Sequence, residues 1–397
     1  MNKFNLFLLI LAPLFLSAIK DEKKFIDQLK PLLAKSFSLN RALPETLEIA
    51  QKKYHLNYTL NSDLEKFIEK EVKKYRPDYA SVVVIDNKDS KILAALDYNR
   101  QENQFKRDLS FSSSHPAASV FKLVTAASVL ENGSVANDTT FEYRGKGSTL
   151  YRYQLKDKKD KWVREIKFEN AFASSNNVIF AKAALNNLDS NKLSQMAQRF
   201  QFNQQLLEEL EMNESLFIGS EDSYEFAELA SGFNKLTSLS PIHACAMASI
   251  VANDGVFKRP FLLNDVKEAN SEKIWWQPQQ KSEKVIDPST SKKLQEMMEL
   301  TVHKGTARVI QKYMHRGPLN KLRIGGKTGS LTGGFPNGKR DWFVVYAKPN
   351  DESLGSGISL AVMIVNQKKW YVKAPLLAKN VIEYYYRNLF EHKDLLK

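Results

Sequence analysis

The sequence predicts an α+β fold: an antiparallel sheet flanked by helices, with an all-helical subdomain inserted between its strands. Three observations carry this. Two β-rich runs, Ser81 to Asp86 and Lys91 to Leu96, are joined by the short polar turn Asn87-Lys88-Asp89-Ser90 and read as a hairpin. Residues from about 117 to 310 are dominated by helical spacing. Strand-like runs then return at Leu322 to Gly326, Trp342 to Ala347 and Ile358 to Val365, closed by a helix from about Pro375 to Phe390. Strands at both ends of a chain with helices between them imply one sheet assembled from distant segments.

The remaining elements follow in order. Lys3 precedes the almost wholly apolar stretch Phe4 to Ile19, after which Lys20-Asp21-Glu22-Lys23-Lys24 is polar again. Residues 1–19 therefore read as an export signal, cleaved or retained as a short membrane anchor, which puts the rest of the chain in the periplasm or otherwise outside the cytoplasm. Residues 20–54 show helical apolar spacing (Phe25, Leu29, Leu32, Leu33; then Leu43, Leu47, Ala50) and read as a short helical stem. An N-cap candidate at Asn61-Ser62-Asp63 opens a helix to about Tyr75, and residues 55–397 form the main domain.

Of the 397 residues 43% are hydrophobic and 26% charged, which excludes a disordered or fibrous chain. The formal charge of +13 comes from basic residues mixed with acids, as in Lys156-Asp157-Lys158-Lys159-Asp160-Lys161. That pattern argues for a solvated surface rather than a nucleic-acid site. Cys245, the only cysteine, sits in a small apolar run and reads as a packing thiol. The six histidines never fall at metal-ligand spacing, so neither a metal nor a cofactor is expected.

Ser-x-x-Lys occurs three times, as Ser17/Lys20, Ser119/Lys122 and Ser289/Lys292. The first straddles the export signal, and the third opens a polar helix whose serines read as caps. Ser119 opens an apolar helix, so Lys122 stands one turn away on the same face. Desolvation there would lower its pKa, as a base for a serine hydroxyl requires; the other reading is a snorkelling surface lysine. A second element, Ser174-Ser175-Asn176-Asn177, precedes a helical apolar run and can be a cap or a Ser-x-Asn site in either of two registers. A third, Lys327-Thr328-Gly329 followed by Ser330, ends the predicted strand from Leu322.

Ser-x-x-Lys, Ser-x-Asn and Lys-Thr-Gly, in that order, resemble the active-site set of penicillin-binding proteins and serine β-lactamases. The likeness runs over about residues 55 to 391, with Leu239-Ser240-Pro241, Gly305-Thr306-Ala307 and Asp341-Trp342-Phe343 where family transpeptidases carry similar groups. Family members usually have an aliphatic residue after the Asn and an aromatic two positions further; Val178 and Phe180 match if the pair is Ser175/Asn177. The resemblance implies a peptidoglycan D,D-transpeptidase acting on D-Ala-D-Ala stem peptides, with β-lactams as covalent inhibitors and a cell-wall synthesis complex as its setting. It implies Ser119 as nucleophile, Lys122 as base, Ser175 as proton relay and Asn177 as positioner. Lys327, Thr328, Gly329 and Ser330 would bind substrate, the first two holding its terminal carboxylate, with the backbone N–H groups of Ser119 and Ser330 as the oxyanion hole. The alternatives are a D,D-carboxypeptidase, a class D-like β-lactamase, or a catalytically weak wall-synthesis scaffold.

Overall fold

The computed structural model describes residues 23–37, 43–157, 160–271 and 273–390. The expected export signal, residues 1–19, lies outside them. The N-terminal part comprises α1 (residues 23–37), β1 (Thr46–Ile49), β2 (Lys52–Tyr58), α2 (Ser62–Tyr75), β3 (Tyr79–Asp86), β4 (Ile92–Asn99) and β5 (Gln104–Lys106). The inserted segment contains α3 (Lys122–Glu131), β6 (Thr140–Tyr143), β7 (Arg164–Lys167), α4 (Phe168–Ala173), α5 (Asn177–Asn187), α6 (Ser190–Arg199), α7 (Ser223–Ser231) and α8 (Pro241–Ala252). It continues with β8 (Val256–Lys258), β9 (Leu263–Glu268), β10 (Ile274–Trp276), β11 (Ser282–Lys284) and α9 (Pro288–His303). The chain closes with β12 (Leu322–Thr332), β13 (Lys339–Pro349), β14 (Ile358–Asn366) and α10 (Ala374–Asn388).

The main sheet has six antiparallel strands in the order β12-β13-β14-β3-β4-β5, so the expected α+β architecture of N- and C-terminal strands holds. Its central strands are buried on both faces, and the period-2 alternation sorts them into two cores. Val83, Ile85, Trp342, Val344, Ala361 and Met363 join the core on the side of α3 and α8. Val82, Val84, Phe343, Val345, Leu360 and Val362 pack with α2 and α10 on the other side. Cys245 of α8 is buried against β14, its thiol reaching the Ser359 carbonyl at 3.2 Å, and burial pushes its pKa up. Asn61 caps α2 by accepting from the backbone N–H groups of Asp63 and Leu64. Asp341 accepts from the Ala374 N–H at the start of α10, tying that helix to β13.

Four expectations need correction. The apolar positions Leu43, Leu47 and Ala50 are not helical: residues 46–58 form the β1–β2 hairpin, turned at Ala50 and Gln51 with φ of +50° and +64°. Tyr54 and Leu56 alternate inward on β2, which pairs with β9. The stem is therefore not separate: the Phe25 ring of α1 lies tilted 4.9 Å from that of Tyr54 and 5.6 Å from that of Trp275, inside the same core as α3 and α8. The insertion, helical around the site, also carries the short strands β6 to β11. Lys327-Thr328-Gly329 does not end its strand; β12 stays in register with β13 from Leu322↔Pro349 to Thr332↔Lys339. At α9 the N-cap is Asp287, and Ser291 donates instead to the Val251 carbonyl.

Because Leu29 and Leu33 are fully buried in the shared core, Leu29→Ala and Leu33→Ala should each destabilise the whole protein by about 2–5 kcal/mol. Chemical denaturation would measure this, and an unchanged midpoint would mean that α1 is an independent stem after all.

Candidate active site

The turn bearing Ser119 is wedged between the sheet and the segment following α7. Upstream, the Trp342 indole donates to the Pro116 carbonyl at 3.1 Å, the Ala117 N–H to Thr237, and the Leu239 N–H to His115. Buried Arg340 holds the β12–β13 loop from inside through the carbonyls of Gly333, Pro336 and Gly338, and it contacts His115 Nδ1 at 3.2 Å. Burial and then the Arg340 charge pull the His115 pKa down to about 3, so that imidazole is neutral. Ala118 has φ of +50°, strained for a residue with a Cβ, and its carbonyl faces Gly232. A Cβ at Gly232 would stand 2.1 Å from that carbonyl and 3.3 Å from the Ser119 nitrogen, so only glycine lets the two chains approach.

Ser119 lies in the short 3-10 turn Ala118–Phe121, half-buried, and α3 starts at Lys122. Lys122 is fully buried, with Nζ 2.9 Å from Ser119 Oγ and 2.7 Å from Asn177 Oδ1, and in contact with the Ser231 carbonyl. The Asn177 amide is oriented by its own donation to the Ser148 carbonyl at 3.0 Å, which leaves Oδ1 facing the lysine. Two of the three Lys122 partners can therefore only accept. A neutral amine has two N–H donors and one lone pair, which matches two acceptors and one hydroxyl that donates. Burial, followed by the Lys327 charge, holds the Lys122 pKa well below the ordinary lysine value. The arrangement can take a proton from Ser119.

Opposite, Ser175 sits between α4 and α5 with φ of +58°. Its Oγ accepts from Lys327 Nζ at 2.9 Å. Ser174 is exposed and bonded back to the Asn170 carbonyl, while the Asn176 side chain caps α5 by accepting from the Ile179 N–H. The structure thus brings Ser175 and Asn177 to the cleft and gives Asn176 to the helix. Lys327 is buried over the Phe172 ring, 5.4 Å from its centroid, and burial pulls its pKa down to about 7. Its neighbour Thr328 pairs through its hydroxyl with Thr306 at 2.5 Å. Gly329 lies against the turn that bears Ser119, where a Cβ would be 3.3 Å from the Val120 nitrogen. Ser330 is exposed one residue further along β12, an edge strand of the main sheet.

Of the two other Ser-x-x-Lys pairs, Ser289 and Lys292 are exposed on α9, and Ser17/Lys20 lies outside the described residues. Sequence reasoning missed Ser231, Gly232, Ser148 and Phe172; the first and third act through main-chain carbonyls, which leave no signature in residue type. Among the described residues, no group of three or more His, Cys, Asp or Glu side chains could hold a metal ion.

The family model for the penicillin binding protein transpeptidase domain matches residues 80–383, and the chain belongs to this family. No curated protein sequence matches it. Its fold is similar to that of the D,D-transpeptidase domain of a peptidoglycan glycosyltransferase from Eggerthella lenta: TM-score 0.66, 21% identity, 85% of this chain and 84% of that one covered. It is similar also to penicillin-binding protein 3 of Mycobacterium tuberculosis complexed with ampicillin, with TM-score 0.68 at 18% identity over 87% and 82% of the two chains. A third likeness is to penicillin-binding protein A of Mycobacterium tuberculosis as its penicillin G acyl-enzyme, with TM-score 0.63 at 19% identity over 83% and 80%.

Two outcomes follow from the geometry. Gly232→Ala should reduce acylation of Ser119 by β-lactams at least about tenfold, since displacing the 118–119 backbone by an ångström is enough to misalign a reacting group. The rate should also fall as pH rises through about 7, where Lys327 loses its proton and its hold on a carboxylate. Lys327→Arg, charged throughout, should move that limb to higher pH; a limb left in place would assign it to another group.

Proposed function

We propose that the protein is a peptidoglycan D,D-transpeptidase that works through an acyl-enzyme on Ser119. The supporting observation is the geometry at Lys122: Nζ lies 2.9 Å from Ser119 Oγ and is otherwise held by two groups that can only accept, so a neutral Lys122 would direct its lone pair at the Ser119 hydroxyl. In this reading Ser119 Oγ attacks the carbonyl of the penultimate D-Ala of a stem peptide while Lys122 takes its proton. Ser175, hydrogen-bonded to Lys327, returns a proton to the leaving D-Ala amine. Lys327 and Thr328 hold the terminal carboxylate by charge-assisted hydrogen bonds. The N–H groups of Ser119 and Ser330 stabilise the oxyanion, each worth about 3 kcal/mol when preorganised. The free edge of β12 suits an extended peptide added as a further strand.

An amine from a second stem peptide then resolves the acyl-enzyme as a cross-link. β-Lactams, whose acyl-enzymes are described for the Mycobacterium tuberculosis penicillin-binding protein A, would acylate the same serine. In this reading the domain works outside the cytoplasm, with residues 1–19 as export signal or inner-membrane anchor and a wall-synthesis complex around it; the family supports the first of these. Among the described residues, no helix is long and apolar enough to cross a membrane.

Mass spectrometry of the intact protein after a penicillin pulse tests this. Ser119→Ala should abolish the adduct, and Ser174→Ala and Ser289→Ala should retain it; an adduct surviving in Ser119→Ala sinks the assignment. The wild-type adduct should break down much more slowly than it forms. Rapid return to the unmodified mass with drug turnover would make the protein a β-lactamase instead, and turnover of D-Ala-D-Ala peptide without cross-linking would make it a carboxypeptidase.

A further inference from the structure

Two adjoining loops carry a surface that the proposed chemistry does not use. The first joins β14 to α10 and reads Gln367-Lys368-Lys369-Trp370-Tyr371-Val372-Lys373. It is short and held at both ends: the Gln367 N–H donates to Asp78 at 2.8 Å, and Val372 is buried in the core shared with α2 and α10. The second is the β12–β13 loop, residues 333–338, to which the Gln367 side chain is tied by donating to the Asn337 carbonyl at 3.2 Å. There the Phe335 backbone exchanges two hydrogen bonds with Ser114, yet its ring is 76% exposed. Trp370, 40% exposed, adds a second ring. Large rings kept in water by fixed backbone on adjoining loops mark a contact surface rather than a core.

The uncompensated charges around these rings are of one sign. Lys339 and Lys373 both place their amines over the Trp370 ring, 5.5 and 5.1 Å from its centroid, and the Lys369 amine lies 5.0 Å from that of Tyr371. Lys368 is exposed next to them. Among the described residues none of these four lysines has an ion-pair partner. The carboxylates at hand are engaged elsewhere: Asp78 pairs with Arg100 and accepts from the Gln367 N–H, and buried Asp341 accepts from the Ala374 N–H. Like charges gathered in this way repel one another in the free protein, and an anionic surface laid against them relieves that repulsion.

We propose that these two loops dock the domain on an anionic lipid bilayer. Each lysine brought near such a surface strengthens binding about fivefold, while Trp370 and Phe335 suit the headgroup level, where aromatic rings settle with their apolar bodies inward. The side chains stand outward on loops, a form that meets a plane rather than enclosing a single ion. The net charge of +13 adds attraction of longer range. Docking of this kind turns the β12–β13 end of the sheet, beside the cleft, toward the bilayer.

In the test, the full chain is reconstituted with vesicles of phosphatidylcholine alone or mixed with phosphatidylglycerol, pulsed with an amine-acylating reagent, and read lysine by lysine by mass spectrometry. Phosphatidylglycerol should slow the labelling of Lys368, Lys369 and Lys373 at least about fivefold, while Lys292, exposed on α9, labels equally fast with both vesicles. Replacing both rings, Phe335→Ala with Trp370→Ala, should remove most of that protection, and an unchanged denaturation midpoint shows that the variant folds. Lys368→Glu with Lys369→Glu, at two exposed positions, should likewise free Lys373. Absence of protection by phosphatidylglycerol overturns the proposal. So does protection that reaches Lys292 equally, which would mean general attraction of a positive chain, or that survives loss of both rings, which would mean charge alone. Equal protection by soluble polyphosphate over phosphatidylcholine vesicles also overturns it, in favour of an anionic polymer. Docking does not depend on the acyl-enzyme chemistry, so penicillin labelling of Ser119 and protection of the lysines fail or succeed separately.

Discussion

An ammonium group taken out of water loses several kcal/mol of solvation even after the protein relaxes around it, and this chain takes two lysines into one cleft. Among the described residues no carboxylate offsets Lys122 or Lys327 there; their partners are hydroxyls, an amide oxygen and main-chain carbonyls. Each also lies over an aromatic face, Phe180 and Phe172 respectively, which eases but does not cancel the penalty. Such an arrangement persists only where the surrounding structure forces it. Here α3, α5, the end of α7 and the edge strand β12 converge on the two amines, and each is held from behind by one of the large cores.

The same pressure accounts for the backbone around the cleft. Ala118 and Ser175 both adopt left-handed φ without being glycine, and each stands beside or at a residue that faces the two lysines. Where side chains would keep chains apart, glycines remove them: Gly232 admits the Ala118 carbonyl, and a Cβ at Gly305 would stand 2.3 Å from the Ala173 carbonyl at the end of α4. Ala118, Ser175, Gly232 and Gly305 stand around the cleft, while the sheet behind it is regular from β14 to β3. A rigid antiparallel frame holds strained turns that would relax if left to themselves.

How much of this was legible depended on whether local pattern and burial agreed. The strands β3, β13 and β14 are buried on both faces, so their apolar runs announced them, and Asn61 announced α2 through its cap chemistry. The β1–β2 hairpin was hidden because its turn is Ala50-Gln51, lacking the glycine or asparagine that ordinarily marks φ > 0, and because Leu43, Leu47 and Ala50 mimic a helix face. β12 was cut short because lysine, threonine and three glycines interrupt its apolar alternation at the site itself. The Ser174-Ser175-Asn176-Asn177 register was undecidable from residue types, since one asparagine serves the helix and its neighbour serves Lys122. Only the family resemblance separated them.

Burial of the two amines together also couples them. Burial and then the Lys327 charge lower the proton affinity of Lys122, so a proton on each amine at once is disfavoured. A single proton can sit on Lys122, where two fixed acceptors and a hydroxyl surround it, or on Lys327, beside Ser175 and the Thr328 carbonyl. Only the second form leaves Lys122 with a lone pair directed at Ser119. A ligand carboxylate arriving at Lys327 favours the proton there and, by the logic of any two-state equilibrium, shifts the cleft toward the form with a free base. On the proposed function, recognition of the substrate's terminal carboxylate and activation of the serine are then a single protonation equilibrium. This also explains why Lys327 is buried at all: an exposed lysine would bind the carboxylate while keeping its own proton whatever Lys122 held, and the two events would be independent.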